Sequence, residues 1–226
     1  MSGRPKIMLL GSPLLGPAVW GPVHDRLRAA GRESCILVAQ SAASGESSRV
    51  LDDFRAAIPA AEDIILVAHS NAGAYLPQLA LEIDAIAMVF IDAVLPASVG
   101  STPLTRVSAL PWLATLADEH GVLPAWTQWW PDADVAALFP DDQTRLLVAA
   151  EQPRIPFAYF RQSVDAPAGW DDRPASYLAY GDNYAAERLD AQNRGWPTRT
   201  LDGGHLHMLV DPDAVAAIML DLIGPG

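Results

Sequence analysis

Ser70 and His205 are the residues whose types and settings could do covalent chemistry. Ser70 lies in Ile64-Ile-Leu-Val-Ala-His-Ser-Asn-Ala-Gly-Ala-Tyr75, where a buried strand runs into a helix with almost no loop. The frame Ala68-His69-Ser70-Asn71-Ala72, followed by Gly73, fits the small-x-Ser-x-small pattern of a nucleophile turn. Small residues are needed because strand and helix backbones come close there. The strained turn lifts the serine hydroxyl clear of the sheet, with a helix N-terminus behind it to favour developing negative charge. Alanine replaces glycine at both flanking positions, which is sterically tolerable. The competing reading of Ser70 is a plain helix N-cap.

A serine is inert without a base. Asp202-Gly-Gly-His-Leu-His-Met-Leu-Val-Asp-Pro212 follows the last strand run and precedes the last helical run. Gly203 and Gly204 permit a tight turn, and His205 can fold its ring back over the strand ends. His207, two residues on, points elsewhere if the segment is extended. His-x-His is a metal-like spacing, but no other His/Cys cluster supports a metal site, and none is expected. The chemistry indicated is attack by a serine oxygen on a carbonyl, with histidine as general base.

The elements that must position these groups follow from hydrophobic periodicity. Strands are expected at Ile7–Leu10, Ser34–Ala39, Asp63–Ala68, Ile86–Ile91, Ala175–Tyr180 and Thr198–Leu201, the first of them a buried run. Helical patterns fall at Ala18–Ala30, Val50–Ile58, Ala185–Arg194 and Pro212–Ile223. Continuous β-branched runs alternating with helices mark a parallel sheet covered on both faces. The rhythm breaks after Pro96. From 97 to 172 no strand run is evident, and five of the seven tryptophans (Trp112, Trp126, Trp129, Trp130 and Trp170) crowd into that stretch. The expected organisation is an α/β core of residues 1–96 and 173–226, interrupted by a mostly helical cap at 97–172. Such a cap lies over the carboxyl ends of the strands, where open α/β sheets bind ligands. Trp126, Trp129 and Trp130 are the candidate substrate-binding residues; the alternative is that they fill the insertion's own core.

Composition mainly excludes. At 226 residues the chain is about one domain plus an elaboration. Fifteen basic residues against 27 acidic give a net charge of −12, without the basic footprint a nucleic-acid binder needs. Anionic membrane surfaces are disfavoured for the same reason, and no apolar run is long enough to span a bilayer. One cysteine, Cys35, excludes an internal disulfide and a cysteine-rich zinc site. With no clear signal peptide, a cytoplasmic location is expected. Self-association into a homodimer is left open.

The chain resembles an α/β-hydrolase, and in particular the small esterases related to plant methylesterases and hydroxynitrile lyases. The likeness is carried by Leu9-Leu-Gly-Ser-Pro-Leu-Leu-Gly16 with Trp20, by Ala68-His-Ser-Asn-Ala-Gly73, by Val89-Phe-Ile-Asp-Ala-Val-Leu-Pro96, and by Gly204-His-Leu-His-Met208 with Asp211-Pro212. It implies an α/β-hydrolase fold, with a mostly parallel six-stranded sheet, and a triad of Ser70, His205 and an acid. Two aspartates compete for the last place. Asp182 follows the strand ending at Tyr180 but falls one to two residues early for the family's usual acid, where Tyr184 sits instead. Asp92 ends the strand Met88–Ile91, four residues before a proline, as in the haloalkane dehalogenases. An aspartate ending a buried strand is also costly unless paired. Asp92 is preferred, with Asp182 the alternative. The resemblance also implies an oxyanion hole with one donor from the Asn71 amide and another from the turn after the first strand. Here that turn reads Gly11-Ser-Pro-Leu14, and Pro13 has no N–H to offer. The Leu14 amide or the Ser12 hydroxyl would have to substitute, or the hole is incomplete.

The expectation is a serine hydrolase cleaving an ester, thioester or lactone of a small apolar or aromatic substrate through an acyl-enzyme, without cofactor. Two alternatives are a non-hydrolytic catalyst on the same fold (a lyase, cyclase or isomerase) and a ligand-binding receptor that keeps the hydrolase shell.

Overall fold

The computed structural model describes residues 4–60 and 63–224. In chain order its strands and helices are β1 (Lys6–Leu10), α1 (Gly21–Ala29), β2 (Ser34–Leu37), α2 (Ser47–Ala57), β3 (Ile64–Ser70), α3 (Leu76–Glu82) and β4 (Ala87–Ala93). There follow β5 (Gly100–Pro103), α4 (Leu110–Leu116), α5 (Asp132–Ala136), α6 (Asp142–Glu151), α7 (Phe157–Phe160) and β6 (Ser163–Ala166). The chain closes with β7 (Ala175–Tyr180), α8 (Ala185–Asn193), β8 (Thr198–Leu201), α9 (His207–Val210) and α10 (Pro212–Ile223).

Six strands form one parallel sheet in the order β2-β1-β3-β4-β7-β8. The central strands β3 and β7 are buried along their whole length, as their continuous apolar runs require. The chain steps from β1 outward to β2, then crosses back over β1 to β3. Right-handed crossovers in opposite directions put α1 on one face of the sheet and α2 and α3 on the other. Accordingly α1 packs on α10, while α2 and α3 both touch β6. The reversal also leaves the carboxyl ends of β1 and β3 diverging around a crevice, the place where such sheets accept ligands. No described helix is long and apolar enough to cross a membrane.

The stretch between β4 and β7 is not free of strands. β5 and β6 pair antiparallel, Thr102 opposite Val164. They escape a reading by apolar runs because each has four residues, and only Thr102, Val164 and Ala166 point inward. The first long helix is also broken: Pro17–Trp20 is a 3-10 turn, and α1 begins only at Gly21. Polar side chains tie the 97–172 stretch to the elements around the sheet, Glu151 and Gln162 among them. Glu151 accepts from the Ala18 amide at 2.7 Å, and Gln162 accepts from the Ser47 amide and donates to the Gly45 carbonyl. Trp170 belongs to the sheet's packing: it is fully buried, edge-on to Phe90 and Trp196, and donates to the Ala97 carbonyl.

Candidate active site

β3 ends in Ser70, which adopts φ +60°, ψ −130°, a conformation that costs a non-glycine residue about 1–3 kcal/mol. The chain turns at once into a 3-10 turn, Asn71–Tyr75, and then α3. The strain is held from both sides. The Ser70 carbonyl accepts from the Val94 amide, and Gly73 lies so close to β4 that a Cβ there would come within 2.2 Å of the Val94 carbonyl oxygen. Ala68 and Ala72 are fully buried, so methyl groups fit at the flanks; the strict requirement for glycine falls at Gly73.

Near the end of β4 stands a second left-handed residue, Asp92, at φ +41° and fully buried. Tyr177 pins this bend: its hydroxyl accepts from the Ala93 amide at 3.0 Å and donates to the Ala93 carbonyl at 2.6 Å. The Asp92 carboxylate accepts from the Tyr180 amide at 3.0 Å through Oδ1, and Oδ2 lies 2.6 Å from His205 Nδ1. With a carboxylate facing it, Nδ1 carries the ring proton, which leaves Nε2 as the acceptor. Nε2 lies 3.0 Å from Ser70 Oγ. Ser70, His205 and Asp92 thus form one hydrogen-bonded chain on the carboxyl ends of β3 and β4 and the turn after β8. Asp182 stays outside it: the carboxylate is 87% exposed and pairs with Arg188 at 3.1 Å.

His69 backs the site from below. It is fully buried, its ring is 4.5 Å from that of His205, and its Nε2 lies 2.9 Å from the His205 carbonyl oxygen. Burial first, and the neighbouring His205 second, hold its pKa well below the ordinary imidazole value. The ring is therefore neutral, and Nε2–H donates to the carbonyl that carries His205. The 207–210 segment is helical rather than extended, and His207 turns its ring toward Gly203 and Tyr180.

On the oxyanion side, the Asn71 amide is the first N–H of the 3-10 turn and has no partner within it. The Asn71 side chain is locked: Nδ2 donates to the Leu104 carbonyl at 2.6 Å, and Oδ1 accepts from the Tyr159 hydroxyl, which contacts that of Tyr75. Leu14 reaches the cavity wall, but its amide donates to Ser12 Oγ at 3.3 Å. Ser12 itself is buried and is not among the lining residues. Its hydroxyl therefore engages a neighbouring amide instead of facing the cavity.

The cavity above Ser70 has a volume of about 670 Å³ and is lined by Ser70, Asn71 and His205 below. Trp126, Trp129 and Trp130 line it from above, and Trp112 joins them. These rings pack on one another at 4.8–6.0 Å, and Trp126 reaches 5.9 Å from His205. Tyr184 closes the side next to His205, and the ion pair of Arg106 with Glu187, at 2.9 Å, also lies on the wall.

The profile of the alpha/beta hydrolase family matches residues 9–218. The chain belongs to that family. Among solved structures, this alpha/beta hydrolase is similar to an extracellular alpha/beta-hydrolase from a Paenibacillus species that shares structural and functional homology with tobacco Salicylic Acid Binding Protein 2 (TM-score 0.73, 16% identity, 97% of this chain and 99% of that one). It is similar to polyneuridine aldehyde esterase (TM-score 0.71, 15% identity, 98% and 100% covered). It is also similar to tomato methylketone synthase I complexed with 2-tridecanone (TM-score 0.70, 13% identity, 98% of each). No curated protein matches in sequence. At these identities the likeness is one of fold.

Ser70, His205 and Asp92 are among the residues that the sequence nominates; the groups that hold them are not. Tyr177 and Tyr180 lie within a strand, His69 occupies the variable position of the turn, and Tyr184 sits where the family's acid would fall. Only Tyr184 carried a signal, a polar aromatic where the family places its carboxylate.

Proposed function

We propose that this alpha/beta hydrolase is a serine hydrolase that cleaves an ester, thioester or lactone of a small apolar or aromatic substrate. The observation that carries the reading is the chain Asp92 Oδ2–His205 Nδ1 at 2.6 Å and His205 Nε2–Ser70 Oγ at 3.0 Å, opening on a tryptophan-walled cavity. In this reading His205 Nε2 takes the Ser70 proton as Oγ attacks the substrate carbonyl, and Asp92 stabilises the imidazolium. The Asn71 amide donates to the oxyanion. The leaving group takes the proton from Nε2, and water then cleaves the acyl-enzyme by the same route. The 97–172 stretch serves as the lid that presents Trp126, Trp129 and Trp130 to the substrate. The test is labelling of the full chain with a fluorophosphonate and mapping of the adduct. We expect label on Ser70, none in Ser70→Ala, and turnover of short aryl esters by the wild type. An unlabelled wild type without esterase activity overturns the reading.

One observation favours a second reading, proton-transfer catalysis by Ser70 and His205 without an acyl-enzyme. Pro13 has no N–H, and the Leu14 amide is engaged by Ser12 Oγ, so the hole shows one clear donor rather than two. The missing donor would cost about 3 kcal/mol of transition-state stabilisation in ester cleavage. A Ser70→Ala variant that keeps the physiological reaction would select this second reading.

A further inference from the structure

The buried side chain of Asn71 is held by the 97–172 stretch at both of its polar atoms. The Leu104 carbonyl can only accept, so Nδ2 faces it, at 2.6 Å. Oδ1 is left to accept, and the fully buried Tyr159 hydroxyl donates to it. With its proton directed at Asn71, Tyr159 accepts from the Tyr75 hydroxyl at 2.9 Å, so the bonds run one way from Tyr75 to Leu104. The two anchors are themselves joined. The Leu104 amide donates to the Gln162 carbonyl at 3.0 Å, and the Gln162 amide to the Tyr159 carbonyl at 3.1 Å. Tyr159 also lies edge-on to Phe160, at 5.3 Å, and Phe160 edge-on to Trp129, at 5.5 Å; both of these line the cavity.

Asn71 carries this clamp and its backbone amide on one Cα. A side chain fixed at both polar atoms leaves that Cα little freedom to turn, and so fixes the direction of the N–H. We infer that Tyr159 is a positioning residue for the oxyanion hole: its hydroxyl, through Asn71 Oδ1, holds the Asn71 amide where the oxyanion develops. The inference rests on the serine-hydrolase reading above. Without the Tyr159 hydroxyl, Oδ1 is buried with no donor, and the side chain must turn to find one. The hole shows one clear donor, since Pro13 has no N–H and the Leu14 amide is engaged by Ser12, so a displaced Asn71 amide has no second donor to offset it. Were the clamp only a fastener for the 97–172 stretch, its loss would weaken all binding in the cavity alike.

The test uses Tyr159→Phe in the full chain, with a phenethyl trifluoromethyl ketone and its matching carbinol as probes. Ser70 Oγ adds to the ketone carbon, its proton passes to His205 Nε2, and the carbonyl electron pair becomes an oxyanion in the hole. The carbinol fills the same cavity without adding. The variant should bind the ketone roughly tenfold to hundredfold more weakly and lose kcat on phenyl acetate by a similar factor, with carbinol affinity within about twofold. Asn71→Leu removes the group that Tyr159 holds, so adding Tyr159→Phe to it should change ketone binding by less than about twofold. Equal losses on ketone and carbinol, unchanged ketone binding, or the full loss repeated in the double variant overturns the inference. A wild type that binds the ketone no better than the carbinol marks instead the failure of the serine-hydrolase reading.

Discussion

The two oxygens of Asp92 are met by a backbone amide and a ring nitrogen, and this arrangement fixes which nitrogen of His205 is left to face Ser70. Replacing the carboxylate by an amide tests that dependence without changing the shape. In Asp92→Asn the amide NH2 can face Nδ1 only if Nδ1 becomes the acceptor, which moves the ring proton to Nε2 and disables the base. Esterase kcat should fall by about 10³–10⁴-fold. Asp182→Asn removes only an exposed contact with Arg188 and should leave kcat within about twofold. A comparable collapse in Asp182→Asn, with Asp92→Asn active, would reverse the assignment. His69 is tested through pH. Its folded-state pKa lies below the unfolded value, so the unfolded chain binds the extra proton and stability declines as pH falls below about 6.5. His69→Gln keeps an N–H for the His205 carbonyl and removes the titration. Urea midpoints between neutral and acid pH should therefore fall less steeply in the variant than in the wild type; parallel curves would refute the assignment.

At the scale of elements, the critical junction is where β3 turns into its helix against the end of β4. Gly73→Ala would press a methyl into the Val94 carbonyl, a backbone atom that cannot swing aside as a flexible side chain would. We expect a loss of about 2–3 kcal/mol in urea unfolding together with lower esterase activity, because Val94 also holds the Ser70 carbonyl. Gly21→Ala, where the added Cβ meets nothing within 4 Å, is the control and should stay within about 1 kcal/mol of wild type. This junction was legible in the sequence, since an apolar run broken by Ser70 among small residues has few other physical causes. The inner strands β1, β3, β4 and β7 were legible for the same reason: strands buried on both faces leave continuous apolar runs, whereas the edge strands β2 and β8 are only partly buried. The β5–β6 pair was not, because a four-residue strand with one or two inward side chains leaves no periodicity to read. The acid was only half legible. The family resemblance nominated both Asp92 and Asp182, and what separates them in space is the bend at Asp92, which turns its carboxylate toward the β7 end and His205. Tyr184 escaped as a wall of the cavity because its position follows from the stacking of two rings more than twenty residues apart in sequence.

At the scale of the whole molecule, all five tyrosines are bound up with the core beneath the cavity or with its wall. Tyr75, Tyr159, Tyr177 and Tyr180 are fully buried, and Tyr184 is half-buried beside His205. Burial is the leading cause that raises every one of their pKa values above the ordinary phenol value of 10. The sign of the consequence follows directly. Below about pH 10 folded and unfolded chains both hold these protons, and stability does not depend on them. Above it the unfolded chain releases protons that the folded chain retains, so stability is lost as pH rises, by about 1.4 kcal/mol per pH unit for each phenol that stays protonated. A single domain holds about 5–15 kcal/mol in all, so unfolding should come within about one to two units above pH 10. Rising negative charge on a chain already at −12 acts in the same direction. Tyrosinate absorbance and far-ultraviolet circular dichroism, followed together through an alkaline titration, should therefore change in one cooperative step, with no tyrosinate signal before the fold is lost. A tyrosinate signal near pH 10 with the dichroism unchanged would show that at least one phenol titrates in the folded protein. If Tyr184→Phe removed that signal, the half-buried phenol beside His205 would be the one open to solvent.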